Sequence, residues 1–228
     1  MRSLIDRIAL VAEVFASVRE DIVYTGGAIV QFLISDPGAA PPRPTRDIDV
    51  FVTQTSRLRY YRAEAQLRAA KFTQRHSNEP ICRWFRDDLI VDLMADDAEI
   101  LGFSNQWYRA GGMQPLQVDC LNHKIAVLSA PYFLATKIEA FDGRGNGDYL
   151  ASADLEDIIA VVNGRSSIVD EIADADLQVR TFLRTRVRDF LRNEKFTDSL
   201  MGHLGSAQNE PSRLAILRDR LREIAAIE

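Results

Sequence analysis

Residues 26–52 read "GGAIVQFLISDPGAAPPRPTRDIDVFV": a glycine pair, an apolar run, a proline-rich connection, and a β-branched run carrying two aspartates. The β-branched and aromatic residues of "DIDVFV" predict a strand. Asp47 and Asp49 then leave one face of it, while Ile48 and Val50 leave the other. Just upstream, "DIVYTGG" reads as a short strand that ends in a glycine turn, and "AIVQFLI" is too apolar for a solvated loop, so a buried helix follows the turn.

Working outward, Leu4, Ile8, Val11, Ala12 and Phe15 share one stripe of a first helix at about 3–18. After the DID strand, "RLRYYRAEAQLRAA" predicts a helix, and "KFTQRH", "ICRWFRD" and "LIVDLMA" predict three strands. From "APYFLATKIEAF" onward the pattern is helical, at about 131–142, 152–163, 166–174, 177–193 and 211–226, with glycines at 143, 145, 147 and 164 as punctuation. The expected class is mixed α+β: a small sheet with flanking helices, then a helical C-terminal region. The expected domains are 1–129 and 130–228.

A chain of 228 residues that is 46% hydrophobic can bury a full core. Its formal net charge of -5 gives no global affinity for nucleic acid, so any such surface must be a local patch. Cys82 and Cys120 lack a CxxC spacing and read as free thiols of a reducing, cytoplasmic compartment. Asp6, Arg7 and Glu13 interrupt the first helix, which therefore reads as amphipathic and not as a signal peptide, and no membrane span is expected. His76, His123 and His203 have no zinc-ligand spacing.

Two carboxylates held on one strand face raise each other's pKa unless a cation sits between them, and hard oxygen ligands on a rigid strand suit Mg²⁺. Asp92 interrupts the apolar "LIVDLMA" and, once buried, needs a partner. If its strand lies beside DIDVFV, three carboxylates converge, as in sites that hold two metal ions for phosphoryl or nucleotidyl transfer. Gly26 and Gly27, at a strand-to-helix turn, would let phosphate oxygens approach bare backbone amides.

"GG", "RPTRDIDVFV" and "VDLM" together resemble the signature of polymerase-beta-type nucleotidyltransferases. "PYFLATKIEAFDGRGNGDYLASADLEDI" further resembles the AbiEii/AbiGii family, toxin components of type IV toxin–antitoxin systems. The resemblance covers most of residues 22–163 and implies Mg²⁺, an NTP substrate, transfer of a nucleotide to a hydroxyl acceptor such as a tRNA 3′ end, and a possible antitoxin partner. It implies nucleotide-binding roles for Gly26, Gly27 and Thr45, metal-binding and catalytic roles for Asp47, Asp49 and Asp92, and motif roles for Lys137 and for Asp154 or Asp157. One departure is that GG stands where many such enzymes have GS.

On its residues alone, Lys137 flanks an apolar helix face and calls for a buried anion, either a triphosphate or Asp154 and Asp157, which lie one helical turn apart. Arg144 is either a phosphate contact or a helix C-terminal charge. Arg180, Arg184, Arg188 and Arg192 recur every fourth residue, as a nucleic-acid-binding ridge or a solvated face. Arg57, Arg59, Arg62 and Arg68 line a second arginine-rich helix. The reading is a Mg²⁺-dependent nucleotidyltransferase acting on RNA. A small-molecule nucleotidyltransferase and a non-catalytic nucleotide- or antitoxin-binding module are the alternatives.

Overall fold

The computed structural model describes residues 2–54, 56–75, 79–145, 147–209 and 211–228. Among the described residues, eleven α-helices and six strands run in chain order as α1 (Leu4–Val14), β1 (Ile22–Thr25), α2 (Val30–Leu33), β2 (Asp47–Val52), α3 (Arg57–Ala69), β3 (Arg83–Arg86), β4 (Leu89–Ala95), α4 (Ala98–Leu101), α5 (Tyr108–Met113), β5 (Leu116–Cys120), β6 (His123–Val127), α6 (Ala130–Arg144), α7 (Ala153–Gly164), α8 (Ile168–Ala173), α9 (Leu177–Arg192), α10 (Glu194–Ser199) and α11 (Pro211–Ala226). The fold is mixed α+β, with one six-stranded sheet and a helical C-terminal region. It forms two compact units: Met1–Ile29 with Pro44–Ser129, and Val30–Arg43 with Ala130–Glu228.

The first unit holds the sheet, in the order β3-β4-β2-β1-β6-β5. β2 runs parallel to β4 and antiparallel to β1, so the sheet is mixed. Ile48, Val50, Val91 and Leu93 are essentially inaccessible on one face. α3 reaches that face through Tyr60, whose hydroxyl donates to Leu93 O. On the other face, Tyr108 of α5 stacks on Phe51 with 4.4 Å between ring centroids. That stacking covers the C-terminal half of β2 and leaves its aspartate end to the site.

Several local expectations are corrected. α1 ends at Val14, and residues 16–21 continue as a kinked 3-10 helix. "AIVQFLI" forms one 3-10 turn, Gly27–Ile29, and then only a single α-turn. "KFTQRH" is not a strand among its described residues: α3 closes through Lys71 in a left-handed conformation, φ 64°, and Thr73 makes one isolated bridge to Phe85. His76 lies outside the described residues. The β5–β6 hairpin turns at Leu121–Asn122 with the positive φ, 52°, on Leu121, so no glycine marks the turn in the sequence.

In the second unit, α6, α7, α9 and α11 bury Phe133, Ile138, Ile158, Val162, Val179, Leu183, Val187, Leu217 and Leu221. The 30–43 segment is tied to this unit by backbone capping. Ser35 N and Asp36 N both donate to Gly164 O at the end of α7, Arg165 donates to Leu33 O, and Arg213 pairs with Asp36. Those bonds satisfy a helix-terminal carbonyl that would otherwise lack a partner. No helix among the described residues is long and apolar enough to cross a membrane.

Candidate functional site

Strand register assembles the site. Thr25 pairs with Asp49, Asp49 with Asp92, and Asp92 with Arg83, so one line across β1, β2, β4 and β3 carries all four residues. Residues paired across strands share a sheet face. Asp47, Asp49 and Asp92 thereby present ligand oxygens that all lie within 4.8 Å of one another, a group able to hold a metal ion. Asp47 and Asp49 are half-buried, and Asp92 is buried.

Each carboxylate is held by a neighbour. Thr45 Oγ1 donates to Asp47 Oδ1 at 2.8 Å. The backbone leading into β2 is pinned from α1, because buried Arg7 donates through Nη1 to Arg46 O and through Nη2 to Thr45 O, both at 2.7 Å. Asp49 packs against Gly26, which has φ 68° and no room for a Cβ beside that carboxylate. Gly27 is buried beneath the turn. Because so little helix follows, its macrodipole is small, and the phosphate approach expected at this turn would fall to local backbone amides.

The buried aspartate has its partner in Arg83, which the sequence reading did not single out. Its guanidinium donates from Nε to Asp92 Oδ1 at 2.8 Å and from Nη2 to Asp92 Oδ2 at 2.7 Å, with a third bond from Nη2 to Asp47 Oδ2 at 3.1 Å. Its Nη1 is 3.6 Å from Glu79. The hydrogen bond to Asp92 is the main reason that the Arg83 pKa rises above its ordinary value, against an opposing effect of burial. The signal was present in "RWFRDDLIVD": a two-residue turn at Asp87 and Asp88, with Asp87 at φ 52°, sets Arg83 opposite Asp92 by counting outward. Beside them, burial, followed by the charge of Asp92, pushes the free thiol of Cys82 up to about 12.

The second unit gathers Lys137, Arg144, Asp154 and Asp157. Ser152 caps α7 by accepting from Leu155 N, which orients the helix's first turn. Lys137 Nζ lies 3.1 Å from Asp154 Oδ1 and 2.7 Å from Asp157 Oδ2. Arg144 forks onto both oxygens of Asp154 at 2.9 Å, and Arg43 forks onto Asp157 at 2.8 and 3.0 Å. Three cations thus surround two buried carboxylates. Arg43, within the proline-rich loop, was not anticipated, because nothing local in "PPRPT" indicates a distant aspartate.

The α9 arginines make contacts within the chain. Arg180 donates to Ala173 O, Arg184 to Ile227 O and Arg188 to Ala225 O, while Arg192 lies 3.8 Å from Asp189. Arg184 and Arg188 therefore cap the C-terminal end of α11. On α3, Arg59 pairs with Asp21 and Arg68 with Glu64.

No protein-family model and no curated protein matches the chain. Among solved structures it is similar to an antigenic nucleotidyltransferase-like protein from Paracoccidioides brasiliensis, at 15% sequence identity and a TM-score of 0.53, over 90% of this chain and 94% of that one. At that identity the likeness is one of architecture: the chain has a nucleotidyltransferase-like fold, and its mixed sheet carries a three-carboxylate cluster able to hold a metal ion.

Proposed function

We propose that the chain is a metal-dependent nucleotidyltransferase that moves a nucleoside monophosphate from an NTP to a hydroxyl acceptor. The observation that carries this reading is the register of Asp49 with Asp92, which brings their carboxylates and that of Asp47 within 4.8 Å on a fold shared with a nucleotidyltransferase-like protein. The donor set is three hard oxygen ligands on adjacent rigid strands, a fit for Mg²⁺. Asp47, Asp49 and Asp92 would hold it. When bound, the metal supplies positive charge to the phosphates and to the attacking and leaving oxygens.

The remaining work falls to the chain. Thr45 keeps Asp47 in one rotamer, Gly26 leaves space for Asp49, and Asp92 takes the proton of the acceptor hydroxyl. The acceptor oxygen bonds to the α-phosphorus as the bond to the β-phosphate oxygen breaks, and pyrophosphate leaves. Arg144 forks onto Asp154 from a side chain that is 72% exposed, and this exposure supports an anion-facing role for it.

The finer reading takes RNA as the acceptor, in particular a tRNA 3′ end, and an AbiEii-type toxin as the biological setting. It rests on the motif resemblance and on the outer surface of α3. α3 covers the sheet face opposite the three carboxylates, and on it Tyr61 is 58% exposed beside exposed Arg57 and Arg62, a combination of stacking surface and cations that suits the body of an RNA bound away from its reacting end. The test is incubation with each labelled NTP, Mg²⁺ and total RNA. Label in RNA, lost in Asp49→Asn, is the expected result. Label in a small molecule would overturn the RNA acceptor, and absence of transfer from every NTP would overturn the enzyme reading.

A further inference from the structure

Arg83 and a metal ion would use the same atoms. The guanidinium engages both oxygens of Asp92 and one oxygen of Asp47, two of the three carboxylates that form the cluster. A pair that served only to neutralise a buried aspartate would need Asp92 alone. Bridging to Asp47 puts the positive charge inside the cluster, where a divalent cation would meet like charge in surroundings that screen it less than bulk water.

The guanidinium also has somewhere to go. Its Nη1 already lies 3.6 Å from Glu79, whose side chain is 31% exposed, and Arg83 itself is 24% exposed. Glu79 precedes Arg83 by four residues and stands outside the Asp47–Asp49–Asp92 group. Rotation of the arginine toward Glu79 would exchange one charge-assisted pair for another and leave no cation unpaired.

We infer that Arg83 is a displaceable counter-cation of the metal centre: it occupies Asp92 and Asp47 in the absence of metal and withdraws toward Glu79 as a divalent cation enters, so one guanidinium sets the metal affinity. This rests on the reading of the three carboxylates as a metal centre. Arg83 is a positioning residue in this scheme, acting through Asp92 and Asp47.

Calorimetric titration of the full chain with MgCl₂ and MnCl₂ tests it, with near-UV circular dichroism as the check on folding. Arg83→Gln removes the competing charge and should tighten metal binding about tenfold or more, tenfold being about 1.4 kcal/mol. Glu79→Gln removes the alternative partner and should weaken binding several-fold. Arg83→Lys keeps the charge but loses the fork that bridges two carboxylates, and should fall between wild type and Arg83→Gln. A folded Arg83→Gln protein with equal or weaker affinity overturns the inference. Should Arg83→Gln fail to fold, Arg83→Lys decides: affinity above wild type supports the inference, and affinity at or below it overturns it. If wild type and every variant leave both metals unbound at millimolar concentration, the metal-centre reading falls as well. Binding by wild type with no change across the series defeats the role of Arg83 alone.

Discussion

Gly26 and Asp49 occupy adjoining space so closely that a Cβ on residue 26 would overlap the Asp49 carboxylate, and Gly26 also holds a left-handed φ of 68°. Gly26→Ala therefore acts on the metal centre and the backbone together. The left-handed conformation costs about 1–2 kcal/mol for a residue with a Cβ, and the carboxylate must move. The expected outcome is a folded, less stable protein with weakened divalent-cation binding, measured by thermal melts and metal titration. Wild-type metal affinity in a folded Gly26→Ala protein would show that the carboxylate position is not critical.

Lys137 and Asp157 should respond unequally to substitution, although they form one pair. Lys137→Met leaves Arg144 on Asp154 and Arg43 on Asp157, a balanced set, so stability should change by no more than about 1 kcal/mol. Asp157→Asn leaves Lys137 and Arg43 sharing only part of Asp154's charge in a buried setting, at a cost of about 3–5 kcal/mol. Urea denaturation of both variants checks the asymmetry. Equal losses would mean that the charge balance does not govern this network.

Acid stability follows from Asp154. Burial pushes its pKa up, but the hydrogen bond from Arg144 and the charge of Lys137 outweigh that, and the net direction is down from 3.8. A depressed folded-state pKa contributes stability above the unfolded value and loses it as pH falls through the folded one. Asp154→Asn should be less stable than wild type at neutral pH, and the gap should narrow as pH drops below the ordinary aspartate range. Melting curves from neutral to strongly acidic pH test this, and a gap constant with pH would refute it.

The two arginine-rich helices should separate in an RNA-binding assay. Arg184→Gln with Arg188→Gln removes donors from Ile227 O and Ala225 O, so the end of α11 should fray, with a loss of about 1–2 kcal/mol. Faster amide exchange there, with the salt dependence of RNA binding unchanged, is the expected result. Arg57→Gln with Arg62→Gln should leave stability near wild type and reduce the slope of log affinity against log salt by somewhat under one per lost phosphate contact. An unchanged slope would remove α3 from the acceptor surface.

Local chemistry alone determined the strand of Asp47 and Asp49, their shared face, the glycine turn before them and the helical second half, because side-chain period, β-branching and glycine punctuation act over a few residues. The burial of Asp92 was legible in the same way, as a carboxylate within an apolar strand. Its partner was legible only by counting outward from the Asp87–Asp88 turn. Arg83 became visible through the hairpin turn at Asp87, and Arg43 through a loop that closes onto Asp157 from 114 residues away. Tertiary structure likewise set Arg180, Arg184 and Arg188 of α9 onto carbonyls at or beside the ends of α8 and α11 and left Arg192 largely exposed, although their common spacing is equally compatible with a solvated ridge. Sequence period sets which face of an element a charge occupies. Only the packing of distant segments sets which opposite charge or unsatisfied carbonyl it meets, because those contacts are fixed by loop closure and desolvation across the whole chain.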